Sequence, residues 1–323
     1  MTAKKIVFIS KGLHSASTRY RALDYFPYLR EAGWIPEHVS ASSNPLARLA
    51  LLGRAAQADA VVVLRKVFPS FYVKLLRNAA NYLIFDFDDA IFVRSNGSPS
   101  HRRARRFARI VQACDQVWAG NSYLAAEAQR YNDQVTVLPT SIVPEKYDVR
   151  PTRPVDTVDL VWIGSRSTRR YLVKLTPLLE DLAQELPQLR LKIIADFDLP
   201  ASKLTVLSVP WREQTEALEL ASAHIGIAPM ADNSWTRGKC GLKVLQYMAA
   251  GLATVASMAG VHRDIVEQGV SGFLAASTDE WREALRRLIV DAPLRERIGA
   301  RGKREATERF SLAATFARMQ SLL

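Results

Sequence analysis

Short apolar runs alternate with helix-period stretches along nearly the whole chain. Runs over 5–10, 59–64, 82–85, 116–119 and 135–138 are continuous rather than alternating, the pattern of strands covered on both faces. Between them, helices are predicted over 17–32, with Ser17 as cap and Gly33 as stop, over 68–80, over 100–114, and from Asn121-Ser122 onward. Residues 141–156 are polar and Pro-containing and follow no period, which marks a linker. The alternation then restarts, with strands over 158–163, 189–194, 204–208 and 225–228. Helices are predicted up to about Leu186, over 211–221 and 278–288, and from Ala292 to the end. Strand after helix, twice over, predicts an α/β protein. Its two Rossmann-like doubly wound domains, 1–150 and 151–323, would face each other across a cleft, with ligands at the carboxyl ends of the strands.

One stretch stands out. From Gly238 the chain reads Gly-Lys-Cys-Gly-Leu-Lys-Val-Leu-Gln-Tyr-Met-Ala-Ala-Gly, followed by the strand-like run 252–257. Leu242, Leu245, Met248 and Ala249 recur at helical spacing, and Gly251 is placed to end the helix. If the helix starts at Gly238, Lys239 and Lys243 fall one turn apart on the same face. Free N–H groups, the helix dipole, Gly238 and Gly241 without side chains, and two ammonium groups would together suit a pyrophosphate. The plain alternative is a buried helix with two snorkelling lysines.

Composition changes this picture in one respect. The 323 residues are 48% hydrophobic and 24% charged, ordinary for a globular chain, but the formal net charge is +12. Anionic partners follow: nucleic acid, phosphorylated metabolites or an acidic membrane face. No recognition-helix, zinc-finger or RNP-type motif is present, so nucleic acid is not expected. Cys114 and Cys240 form no disulfide framework and no zinc spacing, and no His/Cys/carboxylate cluster suggests a metal, so no cofactor is expected. The first apolar run is too short for a signal peptide, and no stretch approaches the roughly 18 apolar residues of a membrane span. A cytoplasmic protein is expected, peripheral on the inner face of the cell membrane. Residues 100–111 hold five arginines in a basic amphipathic helix, suited to anionic headgroups or a lipid-linked phosphate, or simply a solvated face.

Two further loops carry candidate chemistry in the second half. Gly164-Ser165-Arg166-Ser-Thr168-Arg-Arg170 follows a strand and opens a helix, a pattern that suits phosphate oxygens but is also that of an exposed basic turn. Asp232 follows another strand; it would accept hydrogen bonds from sugar hydroxyls, or merely form a turn.

These segments resemble those of the retaining GT-B glycosyltransferases, family 4 in particular. The matching text is Val161-Trp-Ile-Gly-Ser-Arg-Ser-Thr, Ile225-Gly-Ile-Ala-Pro-Met-Ala-Asp, the stretch from Gly238 to Ser257, and Ile265-Val-Glu-Gln-Gly-Val-Ser-Gly-Phe-Leu. The resemblance implies transfer of a sugar from a UDP- or GDP-linked donor to a glycan or lipid-linked acceptor, in cell-surface polysaccharide or glycolipid synthesis. It further implies retention of configuration, with the nucleotide sugar as co-substrate; no metal is required where lysines, arginines and helix N–H groups supply the positive charge at the leaving phosphate. The donor site would comprise Gly164, Ser165, Arg166, Thr168, Gly238, Lys239, Cys240, Gly241, Lys243 and Gln246. The chain departs from the family at two glutamate positions, occupied here by Gly238 and Gln246. Gly238 has no side chain to touch the donor sugar, which leaves Asp232 as the candidate, whereas Gln246 keeps hydrogen bonds for a ribose. The last helix is expected to return to the first domain, as in the family.

In the first half, Asp86-Phe-Asp88-Asp89 ends a buried strand. Several readings stand: an Asp-x-Asp metal motif, the nucleophile motif of haloacid-dehalogenase phosphatases, an acceptor-orienting base among Asp86, Asp88 and Asp89, or a structural role. Lys11, Gly12, Arg19, Arg21 and Asn121 would face the same acceptor side. The remaining alternative is a sugar-nucleotide or glycan binder without catalysis.

Overall fold

The computed structural model describes residues 3–13, 15–42 and 44–323; His14, inside the loop expected over 11–16, falls outside them. Two six-stranded sheets, every paired strand parallel, form two separate units. In the first sheet the order is β2-β1-β3-β4-β5-β6. Its strands are β1 (Lys4–Ser10), β2 (Trp34–Ser40), β3 (Ala60–Leu64), β4 (Leu83–Phe87), β5 (Gln116–Ala119) and β6 (Val135–Val137). They alternate with α1 (Ala16–Arg21), α2 (Phe26–Glu31), α3 (Pro45–Ala56), α4 (Ser70–Ala79), α5 (His101–Ala113) and α6 (Ser122–Gln129).

The second sheet runs β12-β11-β10-β7-β8-β9. Its strands are β7 (Val158–Ile163), β8 (Leu189–Ile194), β9 (Thr205–Val209), β10 (Ile225–Ala228), β11 (Ala253–Ser257) and β12 (Phe273–Ala275). The helices are α7 (Arg166–Glu185), α8 (Glu216–Ala221), α9 (Leu242–Ala249), α10 (His262–Ile265), α11 (Thr278–Val290), α12 (Ala292–Phe310) and α13 (Leu312–Gln320). Alternate residues of β7 feed opposite layers: Leu160 and Trp162 join one apolar core, Val161 and Ile163 the other. Both faces are therefore covered, which is why the strands read as unbroken apolar runs.

In each sheet the strand order reverses once, between β1 and β3 and between β7 and β10. Those switch points open a crevice at the strands' carboxyl ends. Gly12 and Arg65 follow the first pair, Gly164 and the 229–232 loop the second.

The units are not the two halves of the sequence. The first takes the chain up to Ser141, then Asn233–Cys240 and Leu312–Leu323; the second takes Ile142–Asp232 and Gly241–Ser311. The division falls at 141/142 rather than 150/151, because Ile142 donates its N–H to Phe310 O at 2.9 Å and Tyr147 is buried in the second unit's core. In the first unit, α13 lays Phe316 against Tyr25 and Tyr28, ring centroids 6.4 and 5.4 Å away.

Several elements differ from expectation. The helix over 17–32 is broken at Ala22 into α1, a 3-10 turn and α2. The strand β2 and helix α3 were not expected. Pro36 and His38 interrupt the apolar run of β2, which lies at the sheet's edge and tolerates them. α8 begins at Glu216, not Trp211, and the final helix breaks at Ser311, whose backbone is extended.

Candidate active site

The second unit's site is built around the turn after β7. Ser165 caps α7, and the Thr168 hydroxyl donates to Ser165 O at 3.1 Å and accepts the Ser165 N–H at 3.4 Å. This closes the first turn of a 20-residue helix whose positive end favours an anion. Lys243, at the start of α9, donates its Nζ to Thr168 Oγ1 at 3.1 Å and lies 4.3 Å from the Trp162 ring centroid. A Cβ on Gly164 would lie 2.6 Å from that Nζ. The glycine is thus what lets a lysine amine rest against the turn's backbone. Arg166 reaches the loop after β8, its Nε donating to Asp196 Oδ2 at 3.3 Å. Arg169 lies over Phe197, 5.2 Å from its centroid, and its buried Nε has no hydrogen-bond partner among the described residues.

Lys239 is placed elsewhere. The chain makes a 3-10 turn over Thr236–Gly238, runs extended through Lys239, and turns left-handed at Gly241 (φ 71°) before α9 begins at Leu242. The expected one-turn pairing of Lys239 with Lys243 on one helix therefore does not form. Segment 233–240 folds with the first unit, where Lys239 Nζ lies 2.6 Å from Asp89 Oδ1 and 4.5 Å from the Trp235 centroid. Gly238 is buried, and a Cβ there would lie 2.6 Å from both Cβ and N of Ala90. No residue with a side chain fits, which explains the glycine where the resembling family carries glutamate. The Cys240 thiol is 3.4 Å from Asp88 O. Burial, then the Asp88 charge, push its pKa up, so it stays a thiol.

Gln246 is buried too. Its amide donates to Glu216 Oε1 at 2.8 Å. Glu216 also accepts the Trp211 indole N–H on Oε2 at 2.7 Å and the Tyr147 hydroxyl at 3.3 Å. Trp211, partly exposed just beyond β9, is thereby held in one orientation. Sequence reasoning missed Trp211 and Glu216, because neither belongs to a periodic or glycine-marked motif; an aromatic following a strand was the only signal. Asp232 is exposed, ending the 229–232 loop whose Met230 N–H donates to Ser257 Oγ at 2.8 Å.

The first unit gathers the Asp cluster. Asp86 is fully buried and grips Arg21 of α1 bidentately, at 2.5 and 2.8 Å. Burial pushes the Asp86 carboxyl up to about 6, against the pull of Arg21. For Arg21, burial opposes the charge, but the Asp86 carboxylate and its hydrogen bonds win and raise the pKa. Locked in this pair, Asp86 has no oxygen to offer a substrate, so neither the base nor the phosphatase-nucleophile reading suits it. Asp89 is nearly buried between Lys239 and Arg65. Arg65 sits in left-handed backbone (φ 54°), unusual for a non-glycine residue, at the end of β3. Asp88 differs: Oδ2 accepts the Ser17 hydroxyl at 2.9 Å, while Oδ1 has no hydrogen-bond partner among the described residues and lies 3.6 Å from Arg65 Nη1.

Asn121 caps α6 through Oδ1, and its amide donates to Arg237 O and Lys239 O, both at 3.0 Å. It is an anchor for the 233–240 segment. Lys11 is exposed, Gly12 has φ 145°, and Arg19 stacks on Tyr20 at 4.6 Å. A hydroxyl chain that sequence gave no hint of runs from His38 Nε2 to Ser10 to Thr18, both links 2.7 Å.

The fold recurs in known proteins. Residues 157–291, which contain the Gly164 turn, Lys243 and Glu216, match the family described as Glycosyl transferases group 1. This part of the chain is similar to group 1 glycosyl transferases. The whole chain has the GT-B fold. Its fold is similar to that of Anabaena HepE, solved in complex with UDP, at TM-score 0.74 and 15% identity, covering 99% of this chain and 100% of that one. It is also similar to sucrose-phosphate synthase from Thermosynechococcus elongatus (0.72, 14%, 99% and 98%) and to a glycosyltransferase from Rickettsia africae (0.73, 14%, 99% and 97%). No curated protein sequence matches the chain.

Proposed function

We propose that the protein transfers a sugar from a nucleoside diphosphate sugar to a hydroxyl of a glycan or lipid-linked acceptor, with retention and without a metal ion. The observation that carries this is the Lys243 amine seated on the Gly164–Thr168 turn at the start of α7, inside the segment similar to group 1 glycosyl transferases. As the glycosidic bond breaks, charge develops on the leaving β-phosphate. A fixed ammonium and a helix N-terminus there stabilise the transition state more than the ground state. Arg166 and Arg169, at the same turn, add positive charge that does not depend on a cation. The Asp cluster of the first unit is neutralised by Arg21, Arg65 and Lys239, an arrangement that favours a role other than metal ligation.

The donor is uridine- or guanosine-linked; HepE, similar in fold, is described with UDP and with UDP-glucose, which supports uridine. Trp211, fixed by Glu216, offers a flat face for the base, and Gln246 belongs to the same network. Asp232 is the candidate for the sugar hydroxyls. On the acceptor side Asp88, whose Oδ1 faces Arg65 but takes part in no hydrogen bond among the described residues, orients the attacking hydroxyl.

The test is a panel of UDP- and GDP-sugars scored by calorimetric binding and by nucleotide release with candidate acceptors. Binding of one nucleotide class, lost in Lys243→Ala, is the expected result. No affinity for any nucleotide or sugar nucleotide would sink the proposal. The Gly238 turn, which has no room for a carboxylate, favours a second reading: a sugar-nucleotide binder without turnover. That reading predicts donor binding, no release with any acceptor, and indifference to Asp88→Asn.

A further inference from the structure

The helices α3, α4 and α5 pack side by side, α4 touching both neighbours. Together they carry no carboxylate. Arg48 and Arg54 lie on α3, Lys74 and Arg77 on α4, and five arginines on α5. Of these, Arg54 pairs with Glu37 and Arg77 with Asp115. On α5, Arg102, Arg105 and Arg109 recur at i, i+3 and i+7 and are exposed, while Phe107, Ile110 and Val111 are buried on the opposite side. That much alone describes a solvated basic helix.

The neighbouring helices change the reading. α3 turns Leu46 (76% exposed) and Leu49 (66%) outward, three residues apart on one face, where a surface helix normally shows charge. Phe71, in the first turn of α4, is 75% exposed. A single exposed leucine needs no explanation, but three large apolar side chains on a carboxylate-free, cationic layer do. Basic residues that attract a surface, with apolar residues able to enter it, are what an anionic bilayer requires: charges for the headgroups, leucine and phenylalanine for the acyl boundary.

We infer that α3, α4 and α5 form a docking surface for an anionic lipid bilayer, with Arg102 and Arg105 on the headgroups and Leu46, Leu49 and Phe71 inserted below them. Among the described residues no helix is long and apolar enough to cross a membrane, so the attachment is peripheral. Nucleic acid would match the charge but leaves the apolar side chains without a role. The inference is independent of the proposed donor chemistry.

The test is sedimentation of the full chain with phosphatidylcholine vesicles, with and without phosphatidylglycerol. The wild-type chain is expected to pellet only with the anionic vesicles. Arg102→Ala with Arg105→Ala is expected to weaken binding at least about tenfold, since each basic residue near such a surface is worth about fivefold. Leu46→Ser, Leu49→Ser and Phe71→Ser together are expected to leave low-salt capture within a few fold but to make it release in salt that the wild type withstands. Unchanged thermal unfolding in both variants confirms that they fold. No binding to anionic vesicles, equal binding by all three proteins, or tighter binding to duplex DNA that ignores the apolar triple variant would each overturn the inference.

Discussion

Two lysines, four positions apart in sequence, have separate fates, and substitution tells them apart. Lys243→Ala removes the amine from the Gly164 turn; a loss of about 100-fold or more in kcat/KM is expected, the scale of one lost transition-state donor. Lys239→Ala leaves that turn untouched. It exposes Asp89 to partial loss of its neutralisation, with Arg65 remaining, so donor affinity should hold while the first unit loses about 1–3 kcal/mol. Equal donor-affinity losses in the two variants, measured by calorimetry, would contradict this assignment. The carboxylates separate similarly. Asp86→Asn strips Arg21 of its buried counter-ion and should cost about 3–5 kcal/mol in urea unfolding. Asp88→Asn should change stability little yet lower kcat for transfer by about 100-fold. A stable, inactive Asp86→Asn would reverse their roles.

At the scale of elements, periodicity made the buried strands legible. The runs at 60–64, 83–87 and 158–163 lie in sheet interiors, where both faces demand apolar residues and leave an unbroken signature. The edge strand β2, holding Pro36 and His38, left none. The Gly238–Gly251 stretch reads mostly as one helix from its spacing, but the helix occupies only Leu242–Ala249. Local spacing says nothing of a left-handed turn at Gly241, or of Ala90, distant in sequence, occupying the space a side chain at 238 would need. Likewise Asn121 was visible as a helix cap, but its second task, holding two carbonyls of the 233–240 segment, depends on residues more than a hundred positions away. This element gives its own prediction. Gly238→Ala forces a Cβ into the Ala90 backbone and should destabilise the first unit by about 1–3 kcal/mol, with α9 unaffected. Hydrogen exchange should show faster amides over 233–240 and around Ala90, while Lys243's helix keeps its protection; protection unchanged at 233–240 would refute the packing argument.

Across the whole molecule, the two units should answer acid differently. His262 and His224 both belong to the second unit. Burial pulls the His262 imidazole down to about 4; its hydrogen bond with Ser257 O opposes this, and the Lys243 charge adds to it. His224 is likewise lowered to about 4, first by burial and then by Arg295. A histidine that resists protonation when folded contributes stability that is complete above its ordinary 6.5 and is lost as pH falls from there to about 4, because the unfolded chain takes up the proton first. For His262 the full loss is about 3 kcal/mol. Acidification to about pH 5 should therefore weaken the second unit, where both of these histidines lie. The buried tryptophans are Trp118 in the first unit and Trp162 and Trp281 in the second, so the fluorescence change lost when Trp118, or Trp162 together with Trp281, is replaced by Phe identifies each unit's urea transition. The second unit's midpoint should drop between about pH 7 and pH 5, and His262→Gln, which keeps a donor for Ser257 O, should remove a large part of that drop. A drop of the same size in the variant would mean that His262 is not held neutral by its surroundings, and the sensitivity would then have to come from His224 and the carboxylates around it.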